Sequence, residues 1–361
     1  MPDLDISLKR DLARVESPRP IVLIGAGGIA RDAHLPAYKK AGFRVTGIFD
    51  LDKAKAQSLA DAFAIRNVAD SLEQAVRTAP EGAVFDVATP AAALLCVIPY
   101  LPNGSGLLMQ KPMGETLAQA REIRELCRSK SLTAAVNFQL RFAPAIQAAR
   151  RLIAEGAIGD LHDMEVRVSV YTPWPLWTFL YGIPRVEILY HSIHYLDLMR
   201  SFLGDPYRIY AKTLKHPKML QLASTRSTMM MDYGDTISAN ISTNHGHEFG
   251  LKHQESYVKW EGTKGAIKTR LGLLMDYPKG VPEETELCQL SEGAPAEWKR
   301  IEVEGSWFPD AFIGTMSNVM NFLDGVDKRL VSSVEDAYRT MALVEAAYES
   351  SSRGGTPVSY D

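Results

Sequence analysis

The sequence predicts an α/β fold in two parts: a parallel sheet covered by helices, then an α+β part built on an open, mainly antiparallel sheet. In the first 143 residues, short apolar runs of strand length alternate with helical patterns, which is typical of parallel strands buried on both faces. From Leu161 onward, apolar and polar residues alternate with period two, as in strands with one solvated face. A glycine-rich turn directly after the first apolar run is the third observation.

The first part contains predicted strands over residues 21–24, 43–49, 83–88, 106–109 and 132–136. Helical patterns separate them, first up to about residue 40 and then over 54–63, 91–101 and 116–129. Thr116, followed three positions later by Gln119, is a capping-box signature for the start of the last of these helices. The alternation predicts a sheet with helices on both faces.

The second part begins with a predicted helix from Pro144 to near Gly156. Strand-like segments follow over residues 161–170 and near 207–213, 236–243, 255–260, 265–270 and 298–303. Two helices near 309–324 and 334–351 end the chain. We therefore expect an N-terminal extension over 1–19, a first domain over 20–143 and a second domain over 144–361.

The composition of the 361-residue chain excludes several classes of protein. Hydrophobic residues make up 46% and charged residues 23%, so a disordered or fibrous chain is not indicated. The net charge of -3 and the scattered lysines and arginines disfavour a nucleic-acid partner. Three widely spaced cysteines indicate neither a disulfide framework nor a zinc site, and no segment suits a signal peptide or a membrane span. We expect a soluble, cytoplasmic protein without a membrane partner.

The glycine-rich turn has the form GxGxxG/A and predicts a dinucleotide site. Its residues are Gly25, Ala26, Gly27, Gly28, Ile29 and Ala30. Gly25 permits the tight turn, Gly27 lets the backbone approach a pyrophosphate, and Ala30 allows the helix to pack closely on the strand. Free N–H groups at the start of the helix then face the phosphates. A purely structural turn is the alternative.

Asp50 ends the next predicted strand, where a carboxylate can accept hydrogen bonds from the ribose hydroxyls of a dinucleotide. Its charge would repel a 2′-phosphate, and the next residue is Leu51 rather than an arginine, so we expect NAD rather than NADP. Thr89 and Pro90 follow a later strand and therefore lie at the edge of the sheet where ligands bind. The start of a helix is a simpler reason for Pro90.

Lys111 follows the strand that ends at Met109, which places it at the same edge of the sheet. An ammonium group there can polarise a hydroxyl or carbonyl group, or contact the nicotinamide ribose, and burial would lower its pKa. An ordinary loop lysine before a proline is the alternative.

The densest group of ionisable residues contains Glu187, His191, His194 and Asp197. If this segment is helical, the first three lie at positions i, i+4 and i+7 on one face. Removal of a hydride from an alcohol requires a base for the hydroxyl proton, and a histidine oriented by a carboxylate supplies one near neutral pH. Two alternatives stay open: histidines that are hydrogen-bonded in the core, and a metal site made of the same three residues.

Short motifs occur in order from about Pro20 to the C-terminus. They are Gly25–Ala30 followed by His34, Ala88-Thr89-Pro90, Gln110-Lys111-Pro112, Asn137 with Arg141-Phe142 and Pro144, His194 with Asp197 and Gly204, Glu261–Gly265 and Ser333–Ala337. In this order they resemble the glucose–fructose oxidoreductase, inositol dehydrogenase and rhizopine-catabolism (Gfo/Idh/MocA) family. The resemblance implies a Rossmann domain joined to an open-faced α/β domain, homodimers or homotetramers assembled through that sheet, and substrates that are sugars, inositols or their acids or amines.

For the site, the resemblance implies Lys111 as the active-site lysine, His194 as the acid/base group and often a cis bond before Pro112. The expected catalytic residues are Lys111, His194 and His191. The expected cofactor contacts are Gly25, Gly27, Gly28, Ile29, Ala30, Asp50, Thr89, Pro90, Gln110 and Lys111. The expected substrate contacts are Lys111, Asn137, Arg141, Trp174, Glu187, His191 and His194, and weaker candidates are Trp177, His245 and His247. Among these, Arg141 could bind a carboxylate.

Two residues depart from the family pattern. Gln110 stands where the family usually has a glutamate, which removes a charge beside the lysine. Tyr190 stands four positions before His194, where an aspartate is common. We therefore expect His191 and His194 both to line the pocket, with Glu187 orienting His191.

The favoured function is an NAD-dependent dehydrogenase that transfers a hydride at a CH–OH/C=O centre of a sugar, inositol or sugar acid. One alternative is an oxidoisomerase or oxidoreductase that keeps its NAD bound and oxidises one carbon while it reduces another. A second is a non-catalytic NAD-binding sensor. A metal hydrolase is a third, although the dinucleotide turn would then have no use.

Overall fold

The computed structural model describes residues 15–359. Residues 1–14, most of the predicted N-terminal extension, therefore lie outside the described residues. The chain forms two compact units. The first unit comprises residues 15–144 together with Gly305–Met341, and the second comprises Ala145–Glu304 together with residues 342–359.

The first unit is built on a six-stranded sheet with the strand order β3-β2-β1-β4-β5-β6, and all its neighbouring strands are parallel. The strands are β1 (Ile21–Ile24), β2 (Val45–Phe49), β3 (Asn67–Val68), β4 (Val84–Val87), β5 (Gly106–Met109) and β6 (Thr133–Val136). Every residue of β1, β4 and β5 is buried, as expected for central strands covered on both faces. The predicted doubly wound parallel sheet is confirmed, and its strand order reverses between β1 and β4.

The helices are α1 (Leu35–Ala41), α2 (Lys53–Phe63), α3 (Leu72–Arg77), α4 (Leu94–Val97), α5 (Leu117–Ser129), α6 (Pro144–Ala154), α7 (Ile193–Leu203), α8 (Asp310–Leu323) and α9 (Val334–Arg353). Thr116 caps α5, because its hydroxyl accepts a hydrogen bond from the Gln119 N–H at 3.2 Å. The predicted helix over 91–101 consists instead of two 3-10 turns around α4, since Pro99 has no N–H to continue a helix. Within residues 15–359, no helix has both the length and the apolar character needed to cross a membrane.

The segment Gly305–Met341 belongs to the first unit. Phe312 and Met316 of α8 share an apolar core with Ile21 and Leu108 of the central strands. The predicted domain boundary at residue 143 stays a prediction. The compact units differ from the predicted domains in one way: α8, which was expected in the second domain, completes the core of the first unit.

The second unit is built on an open eight-stranded sheet with the order β14-β13-β12-β11-β7-β10-β9-β8. The strands are β7 (Leu161–Ser169), β8 (Arg208–Leu214), β9 (Arg226–Asp232), β10 (Ser238–Asn244), β11 (Glu255–Gly262), β12 (Gly265–Arg270), β13 (Glu284–Gln289) and β14 (Trp298–Ile301). Only β7 and β10 pair in parallel, and the other neighbours are antiparallel. Along β7, Val166 and Val168 are buried, whereas Glu165 and Arg167 are partly exposed. The predicted mainly antiparallel sheet with one solvent-exposed face is confirmed, although strands β9 and β13 were not predicted.

Candidate functional site

The glycine-rich turn connects β1 to a continuous helical segment, which begins with a π-helical turn over Ala30–His34 and continues into α1. Gly25 has a φ of 107°, and a Cβ atom there would lie 2.6 Å from the carbonyl oxygen of Ala88. Glycine is therefore required at this position for both its backbone conformation and its lack of a side chain. Gly27 and Gly28 are exposed, and a Cβ atom at Gly27 would meet nothing within 4 Å.

Asp50 lies directly after β2 and anchors the turn. Its Oδ2 accepts a hydrogen bond from the Ala26 N–H at 2.6 Å, and its Oδ1 accepts one from the Asp52 N–H at 2.8 Å. Next to it, the Leu51 side chain is 96% exposed, which leaves an apolar surface beside a carboxylate. Within residues 15–359, the buried Thr89 Oγ1 has no hydrogen-bond partner.

These features fit a dinucleotide. Exposed glycines at the start of a helical segment leave the backbone N–H groups accessible to a pyrophosphate. A carboxylate at the end of β2 suits ribose hydroxyls, and an exposed leucine beside it suits the apolar face of an adenine ring. The residues that would hold the cofactor are therefore those predicted in the turn, with Asp50 and Thr89.

Lys111 lies after β5, and its peptide bond to Pro112 is cis, as the resemblance implies. Gln110 holds the backbone at this point, because its Oε1 accepts a hydrogen bond from the Lys111 N–H at 2.9 Å. Burial lowers the pKa of Lys111 to about 8. A lysine with such a pKa exchanges protons near physiological pH, unlike an ordinary surface lysine.

A buried polar network lies behind Gln110. His34 Nδ1 is 2.7 Å from Asp86 Oδ2, and the Tyr38 hydroxyl donates to the same oxygen at 2.7 Å. Gln110 Nε2 is 3.0 Å from His34 Nε2, and Asn137 Nδ2 is 3.4 Å from it. Sequence reasoning missed Asp86 and Tyr38. The available signal was Asp86 itself, a charged residue inside the apolar strand β4.

Arg141 was predicted as a substrate contact that could bind a carboxylate. In the structure its guanidinium already pairs with Asp336, at 2.6 Å, and donates to the Val331 carbonyl oxygen at 3.1 Å. Both partners belong to the first unit. Arg141 therefore already has a carboxylate partner within the protein, and its role as a substrate contact stays a prediction.

In the second unit, the segment predicted as one α-helix begins with a π-helical turn over Ile188–Ser192, and α7 follows. The wider turn brings Ser192, five positions after Glu187, within reach, and its hydroxyl donates to Glu187 Oε1 at 2.7 Å. Tyr190 lies against Phe179, with ring centroids 5.9 Å apart. The expected orientation of His191 by Glu187 stays a prediction.

A cluster of rings lies on one side of Glu187, which it contacts through His245. His191 lies 4.6 Å from His245 and 5.0 Å from Trp174, measured between ring centroids. His245 Nε2 is 3.4 Å from Glu187 Oε1, and the Thr172 hydroxyl is 2.9 Å from His245 Nδ1. The structure therefore brings together the predicted Trp174, Glu187 and His191 with the weaker candidate His245.

Glu187 is fully buried. Burial by itself would raise the pKa of Glu187, but the proximity of His245 and the hydroxyls of Ser227 and Ser192 outweighs this effect, and the pKa is lowered. Glu187 is therefore ionised at neutral pH. Among the described residues, the buried Glu187 Oε2 and Trp174 Nε1 have no hydrogen-bond partner, so this cluster contains an unpaired carboxylate acceptor and an unpaired indole donor.

His194 lies in the first turn of α7 and is buried, as is Asp197. The roles proposed for His194 and His191 stay predictions. Among the described residues, no three His, Cys, Asp or Glu side chains are grouped so that they could hold a metal ion. The alternative metal site of Glu187, His191 and His194 therefore has no support.

Comparisons with known proteins agree with this architecture. D-Apiose dehydrogenase from Rhizobium rhizogenes is 25% identical over 346 residues, covering 92% of this chain and 95% of that protein. D-Glucoside 3-dehydrogenase from Escherichia coli is 27% identical over 364 residues, covering 95% and 98%. An oxidoreductase from Agrobacterium radiobacter, solved in complex with NAD+, L-tartaric acid and magnesium, has a TM-score of 0.77 at 21% identity, covering 94% and 98%. This last likeness shows the fold.

The family assignment rests on both parts of the chain. Residues 19–138 match the GFO/IDH/MocA oxidoreductase family with its NAD-binding Rossmann fold. Residues 146–268 match the GFO/IDH/MocA C-terminal domain. The chain therefore belongs to the Gfo/Idh/MocA family of oxidoreductases, and its cofactor is NAD.

Proposed function

We propose that this protein is an NAD-dependent dehydrogenase that acts on a CH–OH group of a sugar or related polyol. The observation that carries the proposal is Lys111, which follows a central strand of an NAD-binding sheet and has a pKa of about 8. D-Apiose dehydrogenase and D-glucoside 3-dehydrogenase, both similar along nearly the whole chain, support a sugar-like substrate.

Oxidation of an alcohol removes a hydride from carbon and a proton from oxygen. NAD accepts the hydride when it is bound. The protein must therefore bind and orient the hydroxyl group and take its proton. Lys111 can do this as a neutral amine, or it can polarise the oxygen as an ammonium group, because its pKa of about 8 makes both forms accessible.

We assign the second polar catalytic role to His194 or His191. A histidine exchanges protons near neutral pH, and two histidines within one segment give alternative positions for the same task. The contact of His191 with His245, which lies beside Glu187, favours His191. The position of His194 in the family motif favours His194.

Two observations favour a neutral polyol over a sugar acid. Glu187 is a buried, ionised carboxylate, and it would repel an anionic substrate group near its ring cluster. Arg141, the expected partner for a carboxylate, is already paired with Asp336. Glu187 Oε2 can accept hydrogen bonds from neutral hydroxyl groups, and the indole of Trp174 can pack against the C–H face of a sugar ring.

The test is a substrate panel with purified protein and NAD, in which NADH formation is followed by absorbance. Aldoses are paired with their uronic acids, for example glucose with glucuronate, and inositols are included as further neutral members. We expect NADH formation with a neutral member, and a kcat/KM at least about tenfold lower for its acid. A preference for the acids would contradict the neutral-substrate assignment while leaving the dehydrogenase assignment intact.

The same assay separates the alternatives. An oxidoisomerase would release no NADH but would convert the substrate with cofactor that stays bound. A non-catalytic sensor would bind NAD without converting any member of the panel. Lys111→Met is expected to lower kcat by about 10²- to 10⁴-fold, whereas Lys39→Met, at an exposed position, is expected to leave it unchanged.

We also propose that the protein works in the cytoplasm as a homodimer or homotetramer. The three cysteines are free thiols, which agrees with a reducing compartment. The wet face of the second unit's sheet is the surface that we expect to assemble. Light scattering of the purified protein tests this, and a monomeric mass at micromolar concentration would contradict it.

A further inference from the structure

His34 is buried beside the carboxylate of Asp86. Asp86 and His34 have no exposed side-chain surface, and Tyr38 donates its hydroxyl hydrogen to the same Asp86 oxygen. Burial and the proximity of Asp86 raise the pKa of Tyr38 well above its ordinary value, so this hydroxyl stays a donor. The ring of Phe312 lies 4.9 Å from that of His34 and adds an apolar neighbour.

Gln110 determines which nitrogen of His34 carries the proton. Its Oε1 accepts from the Lys111 backbone N–H, which can only donate, so the orientation of the amide is set. The amide nitrogen of Gln110 then faces His34 Nε2 at 3.0 Å. Because an amide nitrogen only donates, His34 Nε2 must be the acceptor.

We propose that Gln110 is a positioning residue, which keeps His34 as the neutral Nδ1–H tautomer and uses this buried anchor to hold the backbone of Lys111. The hydrogen bonds run in one direction. The Lys111 N–H donates to Gln110, Gln110 donates to His34 Nε2, and His34 Nδ1–H donates to Asp86. Each donor faces an acceptor, so no extra proton is needed.

A glutamate at position 110, which the family usually has, would reverse this arrangement. Its carboxylate could accept from the Lys111 N–H but could not donate to His34, so His34 would have to bind a second proton and stand as an imidazolium between Asp86 and the new carboxylate. The same carboxylate would add a negative charge next to Lys111. Gln110 itself therefore places no charge beside Lys111.

The direct test is nitrogen-15 NMR of histidine-labelled protein, with His34→Asn used to assign the His34 signals. In the wild type at neutral pH we expect the neutral Nδ1–H pattern, because a hydrogen on Nε2 would point at the amide hydrogens of Gln110. In Gln110→Glu we expect the imidazolium pattern under the same conditions. An Nε2–H tautomer or an imidazolium in the wild type would overturn the proposal.

Kinetics provide the second test. In a plot of kcat against pH, we assign one of the two limbs to the titration of Lys111. This limb should move to higher pH in Gln110→Glu, by about one pH unit or more, because a nearby carboxylate favours the ammonium form. Gln289→Glu, which adds the same charge at an exposed position of β13, should leave the profile unchanged. An unmoved limb together with an unchanged His34 pattern in Gln110→Glu would also overturn the proposal. The NMR test needs no turnover, so it fails independently of the proposed dehydrogenase activity.

Discussion

A buried carboxylate–histidine pair lies in each unit of the molecule, and these two pairs differ in geometry. In the first unit, Asp86 Oδ2 and His34 Nδ1 are 2.7 Å apart, and neither side chain is exposed. In the second unit, Glu187 Oε1 and His245 Nε2 are 3.4 Å apart, and these two side chains are almost as completely buried. We call them the tight pair and the loose pair.

The neighbours of the two pairs suggest different tasks. Tyr38 and Gln110 complete the tight pair with hydrogen bonds of defined direction, as in a rigid support. The loose pair lies against the rings of Trp174 and His191, and the indole N–H of Trp174 has no partner among the described residues. A buried polar group without a hydrogen-bond partner is stabilised most by a ligand that supplies the missing hydrogen bond. The tight pair therefore fits positioning, and the loose pair fits substrate recognition.

The largest expected effect comes from breaking the tight pair. Asp86→Ala leaves the buried His34 N–H and Tyr38 O–H without an acceptor, and we expect the free energy of unfolding to fall by about 3 kcal/mol or more. Denaturant titration measures this change. Asp70→Ala is the matched control, because Asp70 pairs with Lys53 on the surface and its loss should cost less than about 1 kcal/mol. Equal losses of unfolding free energy in the two variants would show that the tight pair stabilises the fold no more than a surface ion pair.

Breaking the loose pair should affect activity more than stability. In Glu187→Gln we expect kcat/KM for a neutral substrate to fall by about 10- to 100-fold, the size expected when a charged hydrogen bond to the ligand is lost. The preference for neutral substrates over their acids should narrow in the same variant. Glu255→Gln, on an exposed part of β11, is the control. A variant that loses stability but keeps its kcat/KM and selectivity would make the loose pair structural.

The protonation of Lys111 gives an intermediate effect. Its pKa in the folded protein is lowered from 10.5 to about 8, so the unfolded chain binds the extra proton between these pH values. The contribution of Lys111 to the free energy of unfolding should therefore increase as the pH rises from about 8 to 10.5, by an amount on the order of 2 kcal/mol. Denaturant titrations of wild type and Lys111→Met at several pH values measure the difference, and parallel curves would show that the pKa is not lowered.

The smallest expected effect sharpens the description of the loose pair. Ser192→Ala removes the hydroxyl that donates to Glu187, which should cost about 1 kcal/mol of stability. It should also raise the pKa of Glu187, since a hydrogen bond to the ionised form is lost. The acidic limb of the plot of kcat/KM against pH should then move to higher pH. Ser201→Ala is the control, because the Ser201 hydroxyl is hydrogen-bonded to Arg150 and to the Leu198 carbonyl oxygen rather than to Glu187, and it should leave that limb in place.

The sequence by itself determined the features that depend on neighbouring residues. A positive φ at Gly25, the alternation along β7 and the cap at Thr116 follow from local sterics, side-chain period and short-range hydrogen bonds. The positions of Asp50 and Lys111 also follow, because each comes directly after a strand of a parallel sheet.

Only the tertiary structure decided which polar groups meet. Asp86 and His34 are 52 residues apart, and Thr172 and His245 are 73 apart. The addition of α8 to the first unit's core and the π-helical turn after Glu187 were equally absent from local patterns. The physical reason is desolvation: a carboxylate shows its preference for a partner only when burial removes water, and burial depends on chain segments that are distant in sequence.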